Sequence, residues 1–126
     1  MLSKGAKLIM WNGTTDTSVS PKDNSKYYDN VVAKLGQADT DKVLELFLAP
    51  GVGHCTGGVG PDKVDLLKAV ATWAEQGTAP SAQGLVQRKL DSAGATTLSR
   101  PLCKYPAYPR YKGSGDVERA ENFVCQ

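Results

Sequence analysis

VLELFLAPGVGHCTGGVG, residues 43–60, places an apolar run directly before a glycine-rich loop. Residues 43–48 are mostly apolar and are followed by Pro50 and Gly51, a pattern that predicts a buried β-strand ending in a turn. The loop holds His54, the only histidine of the chain, with Cys55 beside it. A strand followed by such a loop indicates an α/β fold, in which functional side chains follow the carboxyl ends of the strands.

Patterns of strand and helix alternate on both sides of this stretch. Residues 7–11 contain consecutive apolar side chains and predict a second, fully buried strand. Residues 25–35 have apolar side chains at helical spacing, and Gly36 after them predicts a C-cap. Residues 61–76 predict another helix, with an apolar face that includes Leu67. The order strand, helix, strand, helix predicts an α/β sheet with right-handed crossovers.

The sequence changes character after Gly77. Residues 84–90 predict a last short strand, whereas residues 95–126 hold three of the five tyrosines and two of the three cysteines with little periodicity. We therefore predict one domain in two parts. Residues 1–94 form the α/β part, and residues 95–126 form an irregular C-terminal tail packed on it.

Composition excludes several classes of partner. The chain has 126 residues, enough for one domain with a core, and a net charge of +2 without runs of like charge. We expect no nucleic-acid partner and no membrane partner, because basic patches and apolar stretches of roughly 20 residues are missing. Three cysteines leave the redox compartment open.

Two candidate catalytic residues follow the two predicted strands. Asp16 lies in the loop after the first strand, and His54 lies in the loop after the second. An acid and a histidine in this order match the last two members of a hydrolase triad, whose chain order is Ser, Asp, His. The carboxylate would fix the imidazole tautomer while the other ring nitrogen takes the serine proton. A loop aspartate is also a common turn former, so each residue alone is a weak signal.

Other chemistries fit the sequence less well. No G-x-S-x-G nucleophile motif occurs, and Ser114 in KGSGD predicts a turn. Cys55 is an alternative nucleophile, but adjacent residues in a turn rarely aim their side chains at each other. No C-x-x-C pair, calcium-loop spacing or phosphate-binding motif is present, so we expect no metal site and no nucleotide site.

Three stretches carry a resemblance to a known family. They are KLIMWNGTTDTSVSP (7–21), LFLAPGVGHCTGGVGPDKVDLLKAVATWAEQGTAP (46–80) and SRPLCKYPAYPRYKGSGDVERAENFVC (99–125). In that order they resemble the C-terminal third of the tannase and feruloyl esterase family. The resemblance implies an α/β-hydrolase fold with a mainly parallel sheet, of which residues 1–94 would be the C-terminal portion. It also implies a serine carboxylesterase that hydrolyses gallate, ferulate and related aromatic esters.

The same resemblance assigns roles to individual residues. Asp16 would be the triad acid and His54 the general base. Cys55 would form a disulfide with a cysteine that precedes the nucleophilic serine, and Cys103 and Cys125 would form the C-terminal disulfide of the family. This disulfide pattern implies a secreted or periplasmic protein.

The family's N-terminal features have no counterpart in these 126 residues. They include the serine, the partner of Cys55, the oxyanion donors and the lid domain with its calcium site. We therefore expect no cofactor in this chain and no ester hydrolysis by it alone. The alternative is a non-enzymatic binding module, self-associating through a strand edge left bare.

Overall fold

Two parallel strands form the centre of this computed structural model, which describes residues 4–126. Strand β1 (Leu8–Gly13) pairs with strand β2 (Leu44–Ala49), so that Leu8 lies opposite Leu44 and Gly13 lies opposite Ala49. Because the strands are parallel and in register, their carboxyl ends meet at one edge of the sheet. The mixed helix and strand composition predicted from the sequence is confirmed.

The two strands differ in burial. Leu46, Phe47 and Ala49 of β2 are fully buried, and Tyr28 of helix α1 packs in the same core. Side chains of β1 before Asn12 are only partly buried, because within residues 4–126 this strand pairs with β2 alone. The prediction of a fully buried first strand at residues 7–11 is therefore wrong, since all five of these residues are only partly buried.

Helix α1 (Pro21–Leu35) connects β1 to β2 and begins four residues before the predicted start. Pro21 suits the first helical position, where its missing N–H loses no hydrogen bond. The predicted cap at Gly36 is confirmed, with φ of 81° and an N–H that donates to the carbonyl of Val32. A short helix, α2 (Gln37–Thr40), fills the turn before β2.

Helix α3 (Leu66–Gln76) begins five residues later than predicted. Lys63 instead exchanges two backbone hydrogen bonds with Arg88, at 2.9 and 2.8 Å, which holds residue 63 in extended backbone. Asp65 caps the helix by accepting from the Lys68 N–H at 2.9 Å. The predicted apolar face is wrong at Leu67, which is 80% exposed, because Trp73 faces the core.

No helix within residues 4–126 has both the length and the apolar character needed to span a membrane.

Residues 95–126 contain regular strands, so the prediction of an irregular tail is wrong. Strands β3 (Val86–Leu90) and β4 (Thr96–Pro101) form one antiparallel hairpin, and β5 (Pro109–Tyr111) pairs with β6 (Phe123–Cys125). Strands of three to six residues with mixed polarity give little periodicity in a sequence. The predicted boundary at residue 94 falls in the turn of the first hairpin.

Part of the C-terminal segment (residues 95–126) lies along the outer edge of β2. The Tyr105 N–H donates to the carbonyl of Leu46 at 2.8 Å, and Lys104 forms a bridge with Phe47. Glu45 of β2, although buried, accepts from the N–H and the hydroxyl of Ser81 at 2.8 and 2.6 Å. These contacts cover one edge of the central pair, whereas the outer edge of β1 stays unpaired within the described residues.

A disulfide joins Cys103 to Cys125. It connects strand β6 to the segment that lies along β2, and the Cys103 residue is 2% exposed. The disulfide implied by the family resemblance is therefore present. Cys55 is free and exposed within this chain.

We predict that replacing both Cys103 and Cys125 with serine lowers the free energy of unfolding by about 3 kcal/mol. The disulfide closes a loop with a sequence separation of 22, and its loss would free that loop in the unfolded chain. Urea unfolding of the variant and the parent would measure the change. Cys55→Ser is the matched control and should leave stability unchanged, since Cys55 is exposed and unpaired. Equal stability of the double variant and the control would contradict the prediction.

Candidate active site

The loops after β1 and β2 meet because Gly13 has no side chain. A Cβ atom at Gly13 would overlap the carbonyl oxygens of Val52 and Gly53. Thr15 then joins the loops, since both its N–H (3.1 Å) and its hydroxyl (2.8 Å) donate to the Val52 carbonyl. This backbone packing brings the loop that carries His54 against the loop that carries Asp16.

Asp16 is buried and fully hydrogen-bonded. Its side chain is 2% exposed, and its Oδ1 accepts from the N–H groups of Ser18 at 2.8 Å and Val19 at 2.9 Å. Its Oδ2 accepts from the amide of Asn12 at 3.1 Å and forms the contact with His54 Nδ1 at 2.9 Å. A carboxylate with these donors is held in one orientation.

The hydrogen bonds keep Asp16 ionised despite its burial. The Val19 N–H is the main cause that lowers the pKa of Asp16 from 3.8 to about 2, and burial opposes it. His54 and the Ser18 N–H lower this pKa further. At neutral pH Asp16 is therefore an acceptor only.

His54 faces Asp16 with one nitrogen and solvent with much of its ring. Because Asp16 is an acceptor, the Nδ1 of His54 carries the proton and donates across 2.9 Å. The other nitrogen of a neutral imidazole, Nε2, then has a free lone pair. The His54 side chain is 56% exposed, and no group within residues 4–126 is hydrogen-bonded to Nε2. This arrangement can accept a proton at Nε2 and stabilise the resulting imidazolium through Asp16.

Asp62 holds the loop that carries His54 from the other side. It accepts from the hydroxyl of Thr56 at 2.5 Å and from the N–H of Gly57 at 2.9 Å. The Thr56 hydroxyl is the main cause that lowers the pKa of Asp62 to about 2. The Gly53 N–H donates to the Gly57 carbonyl at 3.1 Å, so residues 53–57 form a closed turn with His54 and Cys55 inside it.

Cys55 lies next to the base in the left-handed backbone region, with φ of 61°. This value is uncommon for a residue with a side chain. Cys55 is exposed and has no disulfide partner within residues 4–126. The thiol is therefore accessible beside the histidine.

Residues 4–126 contain no group of three or more His, Cys, Asp or Glu side chains placed to hold a metal ion.

Three polar residues of this site were not predicted from the sequence. Asn12 lies at the end of β1, beyond the predicted strand, and contacts Asp16. Asn24 donates to Asn12 from the first turns of α1. Asp62 falls inside the helix predicted for residues 61–76, but it lies before the observed start at Leu66 and contacts the loop that carries His54. The only available signal was an asparagine directly after an apolar run, which is a weak one.

A family model for tannase and feruloyl esterase matches residues 1–126, which is the whole chain. The chain belongs to the tannase and feruloyl esterase family. Two relatives of this family illustrate the similarity. The chain is 42% identical over 125 residues to a probable feruloyl esterase of Arthroderma benhamiae. It is 38% identical over 122 residues to a mono(2-hydroxyethyl) terephthalate hydrolase of Piscinibacter sakaiensis.

These matches cover nearly all of this chain and a small part of each relative. They span 96% and 97% of the chain, but only 23% and 20% of the Arthroderma and Piscinibacter proteins. The crystal structure of feruloyl esterase B from Aspergillus oryzae superimposes with a TM-score of 0.89 at 25% identity, over 98% of this chain and 27% of that one. The fold is therefore shared with part of a solved feruloyl esterase.

We predict that Gly13→Ala separates the two loops. The added methyl group would overlap two backbone carbonyls, and such overpacking costs about 1–3 kcal/mol. Urea unfolding would measure the loss of stability. The ¹⁵N signals of His54 would show whether its Nδ1 proton still faces Asp16.

The matched control is Gly57→Ala, in the loop that carries His54. A Cβ atom at Gly57 would have no neighbour within 4 Å, but φ of 75° makes any side chain there unfavourable by about 1–2 kcal/mol. This control should lose some stability and keep the His54 proton at Nδ1. If Gly13→Ala also kept it, the packing at Gly13 would not position the pair.

Proposed function

We propose that this chain carries the acid and the base of a Ser-His-Asp carboxylic ester hydrolase. The observation that supports this most strongly is the 2.9 Å contact between a buried Asp16 and an exposed His54, at the ends of adjacent parallel strands. Loops at this edge of a sheet are where α/β enzymes hold their active sites. Family membership supports the same reaction class.

In the proposed mechanism Asp16 and His54 act on a serine outside these 126 residues. The serine hydroxyl attacks the ester carbonyl, and its proton moves to Nε2 of His54. Asp16 stabilises the imidazolium, which then donates that proton to the leaving alcohol as the acyl-enzyme forms. Water attacks the acyl-enzyme by the same proton transfers and releases the acid.

The proposed substrates are esters of aromatic carboxylic acids, such as ferulates and gallates. The names of the family and of two relatives support this, since they include tannase, feruloyl esterase and a terephthalate hydrolase. We propose the substrate class and leave the individual ester open.

The serine must be held close to His54, and we propose that Cys55 does this. A disulfide from Cys55 to a cysteine beside the serine would limit the drift between base and nucleophile, and reaction rates are sensitive to such misplacement. The exposed thiol and the closed turn of residues 53–57 support this role. We further propose a secreted or periplasmic location, which the Cys103–Cys125 disulfide supports.

A chimeric enzyme would test the proposed function. This chain would replace the matching segment of the Arthroderma benhamiae relative, and hydrolysis of methyl ferulate and of a chromogenic acyl ester would be measured. We expect the chimera to be active and Asp16→Asn to lower kcat by about 10⁴-fold, since the wrong imidazole tautomer would then be favoured. His54→Ala should lower kcat at least as much.

Asp23→Asn is the matched control for Asp16→Asn, because Asp23 is an exposed aspartate at the start of α1. It should leave kcat unchanged. The 126-residue chain alone should show no turnover. Chimera turnover that survives His54→Ala would contradict the proposal, whereas His54-dependent turnover by the chain alone would mean that a second copy or this chain supplies the nucleophile.

The alternative function is self-association through the outer edge of β1. Within the described residues this edge has no strand partner, and Trp11 has a buried Nε1 with no hydrogen-bond acceptor. An unpaired edge of this kind is a template for another strand. Light scattering after size exclusion would detect a dimer. Ile9→Pro should abolish it by removing an edge donor, because the Leu8 N–H donates to the Val43 carbonyl on the β2 side and the N–H of the next residue, Ile9, therefore faces the outer edge. A monomer at all concentrations would exclude this alternative.

A further inference from the structure

We propose that Asn12 is a positioning residue for the triad acid, and that Asn24 holds Asn12 in its working orientation. The inference rests on the proposed function and adds two residues to it. It is carried by a chain of side-chain hydrogen bonds that begins on α1, passes through the end of β1 and ends at the base. These hydrogen bonds join Asn24 to Asn12, Asn12 to Asp16, and Asp16 to His54.

The Asp16 carboxylate accepts hydrogen bonds from four donors. An ionised carboxylate offers about four lone-pair sites. Two N–H groups of its own loop occupy Oδ1, and Asn12 shares Oδ2 with His54. Within residues 4–126, Asn12 is therefore the one side chain besides the base that is hydrogen-bonded to Oδ2, the oxygen that accepts from Nδ1–H of His54.

Asn12 is a buried polar side chain. It is 5% exposed at the end of an otherwise apolar strand, where an unpaired amide would be unfavourable. Both ends of its amide are hydrogen-bonded at 3.1 Å, the NH₂ group to Asp16 and the oxygen to Asn24. A polar side chain at this position is best explained by its two partners.

The hydrogen bond from Asn24 sets the orientation of the Asn12 amide. The Asn24 amide donates to Oδ1 of Asn12, so the oxygen of Asn12 points to α1 and its NH₂ group points to Asp16. The reverse orientation would set the Asn12 oxygen against the carboxylate oxygen. Asn24 thus favours the orientation in which Asn12 donates, and it couples the position of α1 to the acid.

The histidine count makes a direct test possible in the 126-residue chain. His54 is the only histidine, so the imidazole ¹⁵N signals of labelled protein belong to one residue. In the neutral ring these signals distinguish an Nδ1–H from an Nε2–H tautomer. A purely structural role for Asn12 would alter the free energy of unfolding without altering the ratio of the two His54 tautomers.

Four variants are compared with the parent chain by these signals and by thermal unfolding. Asp16→Asn removes the charged acceptor and sets the largest expected change in the tautomer ratio of His54. Asn12→Ala removes the shared donor on Oδ2, and Asn24→Leu removes only the support of Asn12. Asn30→Leu is the matched control, since Asn30 is an exposed asparagine on the same helix.

We expect the parent chain to be almost entirely in the Nδ1–H form. The fraction of Nε2–H should rise most in Asp16→Asn, less in Asn12→Ala, less again in Asn24→Leu, and not at all in Asn30→Leu. Because Asn24 is only partly buried, its variant is expected to fold even if Asn12→Ala does not. The order of the tautomer fractions, measured in folded proteins, is the result that supports the inference.

Two failures are distinguishable. If the parent chain is mainly Nε2–H, the Asp16–His54 contact is not formed, and both the proposed function and this inference are wrong. If the parent, Asn24→Leu and any folded Asn12→Ala remain equally Nδ1–H while Asp16→Asn does not, the pair stands and the positioning role is wrong.

Discussion

The close approach of two backbone segments supports everything else at this site. Residues 52–53 lie against the end of β1, at a separation that only a glycine at position 13 permits. The Val52 carbonyl accepts two hydrogen bonds from Thr15 at the same place. Without this contact His54 and Asp16 would belong to separate loops, since the two residues are 38 positions apart in the chain.

The acid and the base of the pair have opposite environments, and their chemistry follows from that difference. Asp16 is almost fully buried and remains charged because N–H donors replace the water it has lost. His54 is more than half exposed and presents Nε2 outward. A fixed charge behind an accessible ring lets the imidazole gain and lose a proton without rearrangement of the protein.

The C-terminal segment stabilises the strand that leads to the base. It covers the outer edge of β2 through Tyr105 and is joined to β6 by the disulfide at Cys103. Glu45 and Ser81 add a buried hydrogen-bonded contact from a third segment. The loop with His54 therefore extends from a strand held on both sides, whereas the loop with Asp16 follows a strand whose outer edge is unpaired in the part of the chain that the structure describes.

The sequence by itself determined the α/β alternation, the two strand ends and the residue types placed there. Apolar runs and Gly36 as a cap are local signals, and the structure has strands and a helix end at these places. Asp16 and His54 lie in the loops that follow the two strands. The catalytic roles of the pair remain proposals. Their positions could be predicted because each follows its own strand directly.

Only the tertiary structure decided the rest. The start of α3 depends on backbone pairing between Lys63 and Arg88, and the strands of the C-terminal segment depend on partners far along the chain. Asn12 is recognisable as part of the site only when Asp16 and Asn24 are seen around it. Such contacts join residues that share no local period, and a sequence pattern reports only the period of one segment at a time.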